Sequence, residues 1–198
     1  MIAEALTFLV GEVNRYLDAR LGPVTPDRVV LGNIARVADS DGNGNNAGNN
    51  GVAMLTLVNL EEDKVSRNPE NFRRIGDDLV YRNPAVRLNL FGLFSAHTST
   101  YSTALEMLSL IIQCFQARRT FEPALNPHLD PRIEQLALDL FTLNFEQVNH
   151  LWSTLGGKYY PSVLYKIRLV VIEDTTPYAG GGLIREIDLN GRTLEPRS

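Results

Sequence analysis

Cysteine is almost missing from this sequence: the chain of 198 residues contains one, Cys114. A single cysteine excludes an intrachain disulfide framework and a zinc site built from several thiolates. Basic residues are not in excess either, since 19 Lys and Arg stand against 23 Asp and Glu and give a net charge of −4. This balance argues against a general nucleic-acid-binding protein, whose domain usually carries a basic excess.

Long apolar runs are also lacking. No window offers the ~20 predominantly apolar residues that a membrane-spanning helix needs. The N-terminal run is interrupted by Glu4 and Glu12 and has no basic region before it, so it does not resemble a signal peptide. Its apolar residues recur at spacings of three and four instead, which predicts an amphipathic helix.

What the sequence does contain is typical of a globular α+β domain. Apolar residues make up 44% of the chain and charged residues 21%, close to the globular average. Periodicity and turn residues predict a single domain in which a mixed or antiparallel sheet is packed by the N-terminal helix and a central helix. The predicted strands are 28–38, 52–61, 85–95, 133–143 and 162–173, and the further helices are 99–118 and 144–155.

Capping and alternation give finer expectations for these elements. Thr98 or Ser99 could cap the helix 99–118, and Asn144 the helix 144–155, whose apolar face includes Phe145. In the strands, Leu60 is expected on the face of Met54 and Thr56, Leu140 on that of Leu136 and Leu138, and Asn89 on that of Phe91 and Leu93.

Polar stretches separate these elements. We expect residues 39–51, DSDGNGNNAGNNG, to form a flexible hairpin loop. Residues 62–83 resemble a long surface excursion, and Gly180–Gly182 a flexible hinge. The predicted organisation is a domain over 1–174 followed by a C-terminal extension over 175–198.

The 39–51 loop partly matches two ligand-binding motifs. Asp39, Asp41, Asn43 and Gly44 have EF-hand spacing, but Asn50 stands where the motif requires a bidentate Glu, so a calcium site is disfavoured. The same loop contains a loose G-x-G-x-x-A dinucleotide fingerprint, but a strand is predicted after it where that motif needs a helix. We expect neither cofactor nor metal.

Catalytic candidates are few. His97, at the end of a predicted strand, could act as acid or base with Asp130 or Asp139, which leaves a small hydrolase or ligand-binding domain as the alternative function. No G-x-S-x-G motif accompanies it. Cys114 lies on an apolar helix, which favours a buried small hydrophobic residue over a nucleophile.

The charged and aromatic groups indicate contact surfaces rather than catalytic sites. The run Glu61–Glu62–Asp63 is typical of a solvated face or of one half of a charge match with a partner. Arg73–Arg74 is too small a pair for a nucleic-acid footprint. Trp152, Tyr159 and Tyr160 flank the turn Gly156–Gly157–Lys158, and such amphipathic rings suit both a core edge and an interface.

Four stretches of the sequence, taken together and in order, resemble one family. They are MIAEALTFLVGEVNRYL at the N-terminus, LVNLEED at 57–63, NPAVRLNLFGLFSA at 83–96, and 129–173, which begins LDPRIEQLALDLFTL. The resemblance is to the cap, or tail-terminator, proteins of phage-tail-like contractile injection systems of the antifeeding-prophage and virulence-cassette type. It covers about residues 1–175.

This resemblance implies a structural protein rather than an enzyme, with an α+β fold similar to phage tail terminators. A six-fold ring of copies would cap the tube and sheath at the end away from the baseplate and stop their polymerisation. The implied partners are other copies, the sheath protein and the inner-tube protein, with no nucleic acid and no membrane insertion. Synthesis and assembly would be cytoplasmic, in a particle that is released or anchored. We expect the contacts to involve Glu61, Glu62, Asp63, Arg73, Arg74, Trp152, Lys158, Tyr159, Tyr160, Ile184 and Ile187.

Overall fold

The chain forms helices and strands in nearly the predicted order. A computed structural model describes residues 1–36, 52–63, 72–75, 78–81, 86–98, 100–156, 158–172 and 181–182. The helices are α1 (Ile2–Leu21), α2 (Tyr101–Ala117) and α3 (Phe145–Thr154). The strands are β1 (Val29–Leu31), β2 (Val52–Glu62), β3 (Phe72–Ile75), β4 (Asp78–Tyr81), β5 (Val86–His97), β6 (Thr120–Phe121), β7 (Leu136–Phe141), β8 (Ser162–Ile172) and β9 (Gly181–Gly182). The predicted α+β class is confirmed.

The chain divides into two compact units. The first comprises residues 1–67 and 86–172 and contains a six-stranded mixed sheet in the order β1-β2-β5-β8-β7-β6. Only β1 and β2 run parallel; every other neighbouring pair is antiparallel. The second unit comprises residues 68–85 and 173–198 and contains a three-stranded sheet in the order β3-β4-β9.

The first face of the six-stranded sheet carries the main core. Helices α1 and α2 lie on this face, as predicted for the N-terminal and central helices. Gly92, in the middle of β5, allows tight packing there, since a Cβ would lie 3.0 Å from both Leu55 Cδ1 and Ile167 Cδ1. The core includes Leu6, Leu9, Val13 and Leu17 of α1, Ala104, Leu108, Ile111 and Phe115 of α2, and Leu55, Leu90, Phe94, Leu138 and Ile167 of the sheet.

The second face carries a smaller core under α3. Strand alternation turns Phe91 and Leu93 of β5 to this side, where they pack with Ile34, Met54, Trp152 and Leu164. Asn144 caps α3, because its side chain accepts from the Gln147 backbone N–H at 2.8 Å. The predicted cap is confirmed. The sheet is therefore covered on both faces.

Strand β1 is shorter than the predicted strand 28–38, and the cause is a buried hydroxyl. Thr56 Oγ1 donates to the Gly32 carbonyl at 2.9 Å and accepts from the Ile34 N–H at 3.1 Å. These bonds hold the chain out of the sheet after Leu31, and residues 34–36 form a turn of helix. The β propensity of Val29–Leu31 was predicted correctly, but the strand continuation beyond them was wrong.

A bulge in β2 reverses part of the predicted alternation. The register with β5 shifts between Leu57 and Asn59, so one extra residue enters the strand. Leu60, predicted on the face of Met54 and Thr56, lies opposite Leu90 on the first face instead. The strand itself, predicted at 52–61, is confirmed.

The polar segment 62–83 is not a plain surface excursion. It contains β3 and β4, which pair antiparallel as a hairpin, with Phe72 opposite Tyr81. Two of the three glycines predicted as a hinge, Gly181 and Gly182, form β9 and pair with Leu79 and Asp78. The apolar and β-branched residues on both sides of Gly76–Asp77 were the signal for this hairpin.

Two smaller expectations on the helices were wrong. Helix α2 begins after Thr100, not after Thr98 or Ser99, and the Thr100 side chain makes no capping hydrogen bond. Phe145, predicted on the apolar face of α3, is 96% exposed. Among the described residues, none of the helices is both long and apolar enough to cross a membrane.

A buried amide joins α1 to the edge of the sheet. Asn14 is 7% exposed, accepts from the Val29 N–H at 3.0 Å and donates to the Val29 carbonyl at 2.8 Å. These two bonds satisfy both outward backbone groups of Val29, which is fully buried. The side chain thus takes the place of a neighbouring strand.

We predict that Asn14→Ala lowers the free energy of unfolding by about 2–4 kcal/mol, because two buried backbone groups lose their partners. Equilibrium denaturation in urea measures the change. Asn149→Ala, at an exposed position on α3, is the control and should change stability by less than about 0.5 kcal/mol. Equal stabilities of the two variants would contradict the role assigned to Asn14.

Candidate assembly surface

The aromatic residues predicted near the α3 turn form one connected cluster. Trp152 is buried, and its ring packs edge-on against Tyr159 at 5.6 Å and Tyr160 at 5.8 Å between centroids. Tyr160 in turn contacts the His97 ring at 5.0 Å. Gly156, with φ of +103°, allows the chain to leave α3 at this point. The turn borders both the second core and solvent, because Tyr159 is 63% exposed.

An apolar groove lies beside this cluster on the second face of the sheet. Its volume is about 260 Å³. The floor is formed by β7 and β8, and one wall by α3. Among its lining residues are Leu93, Phe141, Val148, Leu151, Trp152 and Leu164.

Next to the groove, the outer edge of β7 is only partly covered. Strand β6 pairs with Leu136 and Ala137, and the Leu138 N–H donates to the Arg119 carbonyl at 2.8 Å. By alternation the N–H and C=O of Leu140 point to the same outer edge, where the described residues supply no strand partner. This edge presents unpaired backbone groups.

Large apolar side chains are exposed around this edge. Leu140 and Phe141 lie on opposite faces at the end of β7, and Phe145 begins α3 four residues after Phe141. A second cavity of about 250 Å³ lies on the first face, between α2 and Leu138, Leu140 and Tyr165. We call Leu140, Phe141, Phe145 and Tyr159 the β7 surface. Its combination of exposed rings and an open strand edge fits protein–protein contact better than small-molecule binding.

The acidic run is divided by strand geometry. Glu61 lies opposite Asn89 on the second face, whereas Glu62 lies opposite Leu88 on the first face. Both side chains are exposed. The Asp63 N–H continues the ladder by donating to the Arg87 carbonyl at 2.8 Å. The three carboxylates therefore do not form one patch.

The remaining predicted contact residues are distributed over the chain. Lys158 is exposed in the α3 turn beside Tyr159. Arg73 and Arg74 lie in β3 of the second unit, and their side chains are outside the described part. Ile184 and Ile187, and the 39–51 loop with its calcium and dinucleotide motifs, also lie outside the described residues.

The acid–base candidates are engaged elsewhere. Asp130 binds Arg132 at 2.6 Å, and this hydrogen-bonded guanidinium lowers the pKa of Asp130 to about 2. Asp139 binds Arg168 at 2.8 Å. His97 contacts Tyr160 rather than either carboxylate. Within the described residues, no group of three or more His, Cys, Asp and Glu side chains could hold a metal ion.

Cys114 is a buried residue of the main core, as predicted. Burial raises the pKa of its thiol to about 11, and the charge of Glu12 adds to this effect. Since the thiolate is the nucleophile, a thiol with this pKa is unreactive near neutral pH.

Sequence reasoning found the aromatic turn but missed most of the β7 surface. Leu140 and Phe145 were assigned to the apolar sides of β7 and α3, because periodicity identifies an apolar side without showing where the covering layer ends. Asn89 was predicted on the second face but not noticed as a buried polar group. Its signal was an amide in the middle of an otherwise apolar strand.

Comparison with known proteins identifies the family. The family model described as the Pvc16 N-terminal domain matches residues 4–186. The chain belongs to this family. The resemblance stated from the sequence is thereby confirmed. A comparison with the curated proteins found no match.

This Pvc16 N-terminal domain is similar to solved structures, and the fold is shared with one of them. The structure with this fold is the PVC sheath/tube terminator of an extracellular contractile injection system in the extended state. It has a TM-score of 0.54 and 14% identity, over 94% of this chain and 64% of that chain. A further similar structure is the anti-feeding prophage cap, a tube-terminating cap, with a TM-score of 0.47 and 15% identity over 72% of this chain and 49% of that chain. The chain thus spans less than two thirds of the length of either protein.

We predict that Cys114 in the folded domain reacts with a disulfide reagent such as DTNB at pH 8 at least about 100-fold more slowly than in the unfolded chain. The raised pKa reduces the thiolate fraction by about that factor, and burial slows the reaction further. Below pH 11 the rate should rise with pH, because deprotonation supplies the thiolate. Equal rates with and without denaturant would contradict the buried position.

Proposed function

We propose that this chain caps a contractile injection system. Copies of it form a ring at the end of the tube and sheath away from the baseplate, and the ring stops further polymerisation. It acts through contacts with the tube and sheath proteins, as a structural protein rather than an enzyme. Neither nucleic acid nor membrane insertion is part of this function, and the chain is a component of a phage-tail-like particle.

The observation that carries the proposal is the fold shared with the PVC sheath/tube terminator over 94% of this chain. Membership of the Pvc16 N-terminal domain family supports it independently, because the family model covers residues 4–186. The hydrolase alternative has less support, since Asp130 and Asp139 bind arginines and His97 binds neither.

The β7 surface supports a role in assembly. Apolar rings that are exposed to water are unfavourable in an isolated chain, and a partner that covers them removes this free-energy penalty. The open backbone edge at Leu140 can accept an extended segment of another chain. The six-stranded sheet beneath is covered on both faces, so the surface is held on a rigid support.

A ring of identical copies needs two different complementary surfaces. The sheet has its two edges at β1 and at β6–β7. Near the β1 edge, Leu21, Val24 and Leu31 are exposed apolar residues. We propose a head-to-tail contact in which the β7 surface of one copy meets the β1 edge of the next, and six copies close the ring.

Deletion of the gene from the particle operon tests the function. Tubes and sheaths of uncontrolled length, or particles that fall apart, are expected by electron microscopy. Complementation with the intact gene should restore a narrow length distribution and a six-fold ring at one end. Particles of normal length and integrity without this chain would overturn the proposal.

We predict that Phe145→Lys abolishes capping without unfolding the domain. The side chain is 96% exposed, so its replacement should change the free energy of unfolding by less than about 0.5 kcal/mol. In an interface the lysine would be desolvated without a partner, which would weaken the free energy of binding by about 2–5 kcal/mol. Particle length and ring occupancy measure capping, and a thermal melt measures folding.

Leu125→Lys is the matched control. Leu125 is also a highly exposed apolar residue, in the loop after β6, and its replacement should leave capping unchanged. Normal capping by Phe145→Lys, or equal loss in both variants, would show that the β7 surface is not the contact surface.

A further inference from the structure

The side-chain oxygen of Asn89 has no hydrogen-bond partner. Asn89 lies in β5 and is 6% exposed, and no donor reaches its Oδ1 in the part of the chain that the structure describes. A buried acceptor without a donor destabilises a folded domain, so such a group in a native structure requires an explanation. Because β5 is paired on both edges, the unpaired oxygen lowers the stability of a central strand.

The strand register identifies the neighbours of Asn89. Glu61 of β2 and Arg168 of β8 lie directly opposite it on either side, and all three side chains are on the second face of the sheet. Directly opposite residues have Cβ atoms about 5 Å apart. Asn89 is therefore flanked by one carboxylate and one guanidinium.

Neither neighbour satisfies the amide. The Arg168 guanidinium donates to Asp139 at 2.8 Å. Glu61 is exposed, and its carboxylate accepts only a 3.4 Å contact from Asn59 Nδ2, with no cation within ion-pair distance among the described residues. Glu61 and Asn89 thus hold directly opposite positions on one face, and among the described residues neither side-chain oxygen binds a cation.

We propose that Glu61 and Asn89 form a subsite for one basic side chain of a tube or sheath subunit. This inference rests on the proposed capping function and names the chemistry of one contact in it. A guanidinium carries five N–H donors in a plane and can donate to both oxygens at once. The charged side chains around Asn89 are long and partly exposed, so rotamer changes on the picosecond to nanosecond scale give access to Oδ1.

The proposed occupant is a basic side chain, because Glu61 is an exposed carboxylate with no cation partner among the described residues. Its charge complements Glu61, and the bond to Asn89 Oδ1 removes the buried defect.

Two nearly isosteric variants test the subsite. Asn89→Leu keeps the shape of the side chain and removes the unsatisfied oxygen, and Glu61→Gln removes the charge. Glu106→Gln, an exposed carboxylate on α2, is the control. The probe is a purified particle assembled without the cap, and co-sedimentation measures the apparent Kd of each variant. Thermal melts and light-scattering masses are recorded on the isolated chains.

The expected result separates binding from stability. Asn89→Leu should weaken binding to uncapped particles about tenfold or more while raising Tm of the isolated chain by about 2–4 °C. Glu61→Gln should weaken binding with an unchanged Tm, and the difference from the intact chain should shrink at high salt. Glu106→Gln should bind like the intact chain.

Three outcomes would overturn the subsite. They are binding of Asn89→Leu and Glu61→Gln with the affinity of the intact chain, a lowered Tm for Asn89→Leu, and an effect confined to self-association. The last would make the partner a second copy. Failure of the intact chain itself to bind uncapped particles is a different result, which would overturn the proposed function together with this partner.

Discussion

The structure depends on β5 being buried on both faces and paired on both edges. Leu90 and Phe94 pack under α1 and α2, while Phe91 and Leu93 pack under α3. Two cores therefore share one strand, and a change of one residue in its register would exchange them. Gly92 allows this close packing because a Cβ would lie only 3.0 Å from side-chain atoms of β2 and β8. The position of α1 and α2 on one side of the sheet and of α3 on the other therefore follows from the two apolar faces of this strand.

Much of this arrangement could be predicted from residue patterns. The alternation in β5 and β8, the threefold and fourfold spacing in α1, and the Asn144 cap all act locally, so periodicity and capping rules identified them. The short β1 could not be predicted in this way, because the hydroxyl of Thr56, 22 residues after Ile34, ends it. The bulge in β2 likewise depends on pairing with β5 and is invisible in β2 alone.

The same distinction between local and long-range signals explains which residues of the candidate surfaces could be predicted. Trp152 and its tyrosines were recognised because aromatic residues around a glycine turn are a local signal. Alternation along the strand separates Glu61 from Glu62, but the face that each one occupies depends on the register after the bulge. Phe145 has the spacing of a core residue, and only the tertiary structure shows that the sheet ends before it reaches that ring. Sequence periodicity therefore locates apolar sides, whereas the boundary of a layer decides which of their residues remain exposed.

Among the described residues of this domain, some polar groups have an internal hydrogen-bond partner, and others have none. Asn14 is an example of the first kind, because its amide binds both outward backbone groups of Val29 in β1. At Leu140 and Asn89 the corresponding groups lack such an internal partner among the described residues. A domain selected only for stability would replace Asn89 with leucine and cover Phe145. Their retention is physically reasonable if the complete structure is the assembly, in which neighbouring chains supply the missing donors and the missing apolar layer.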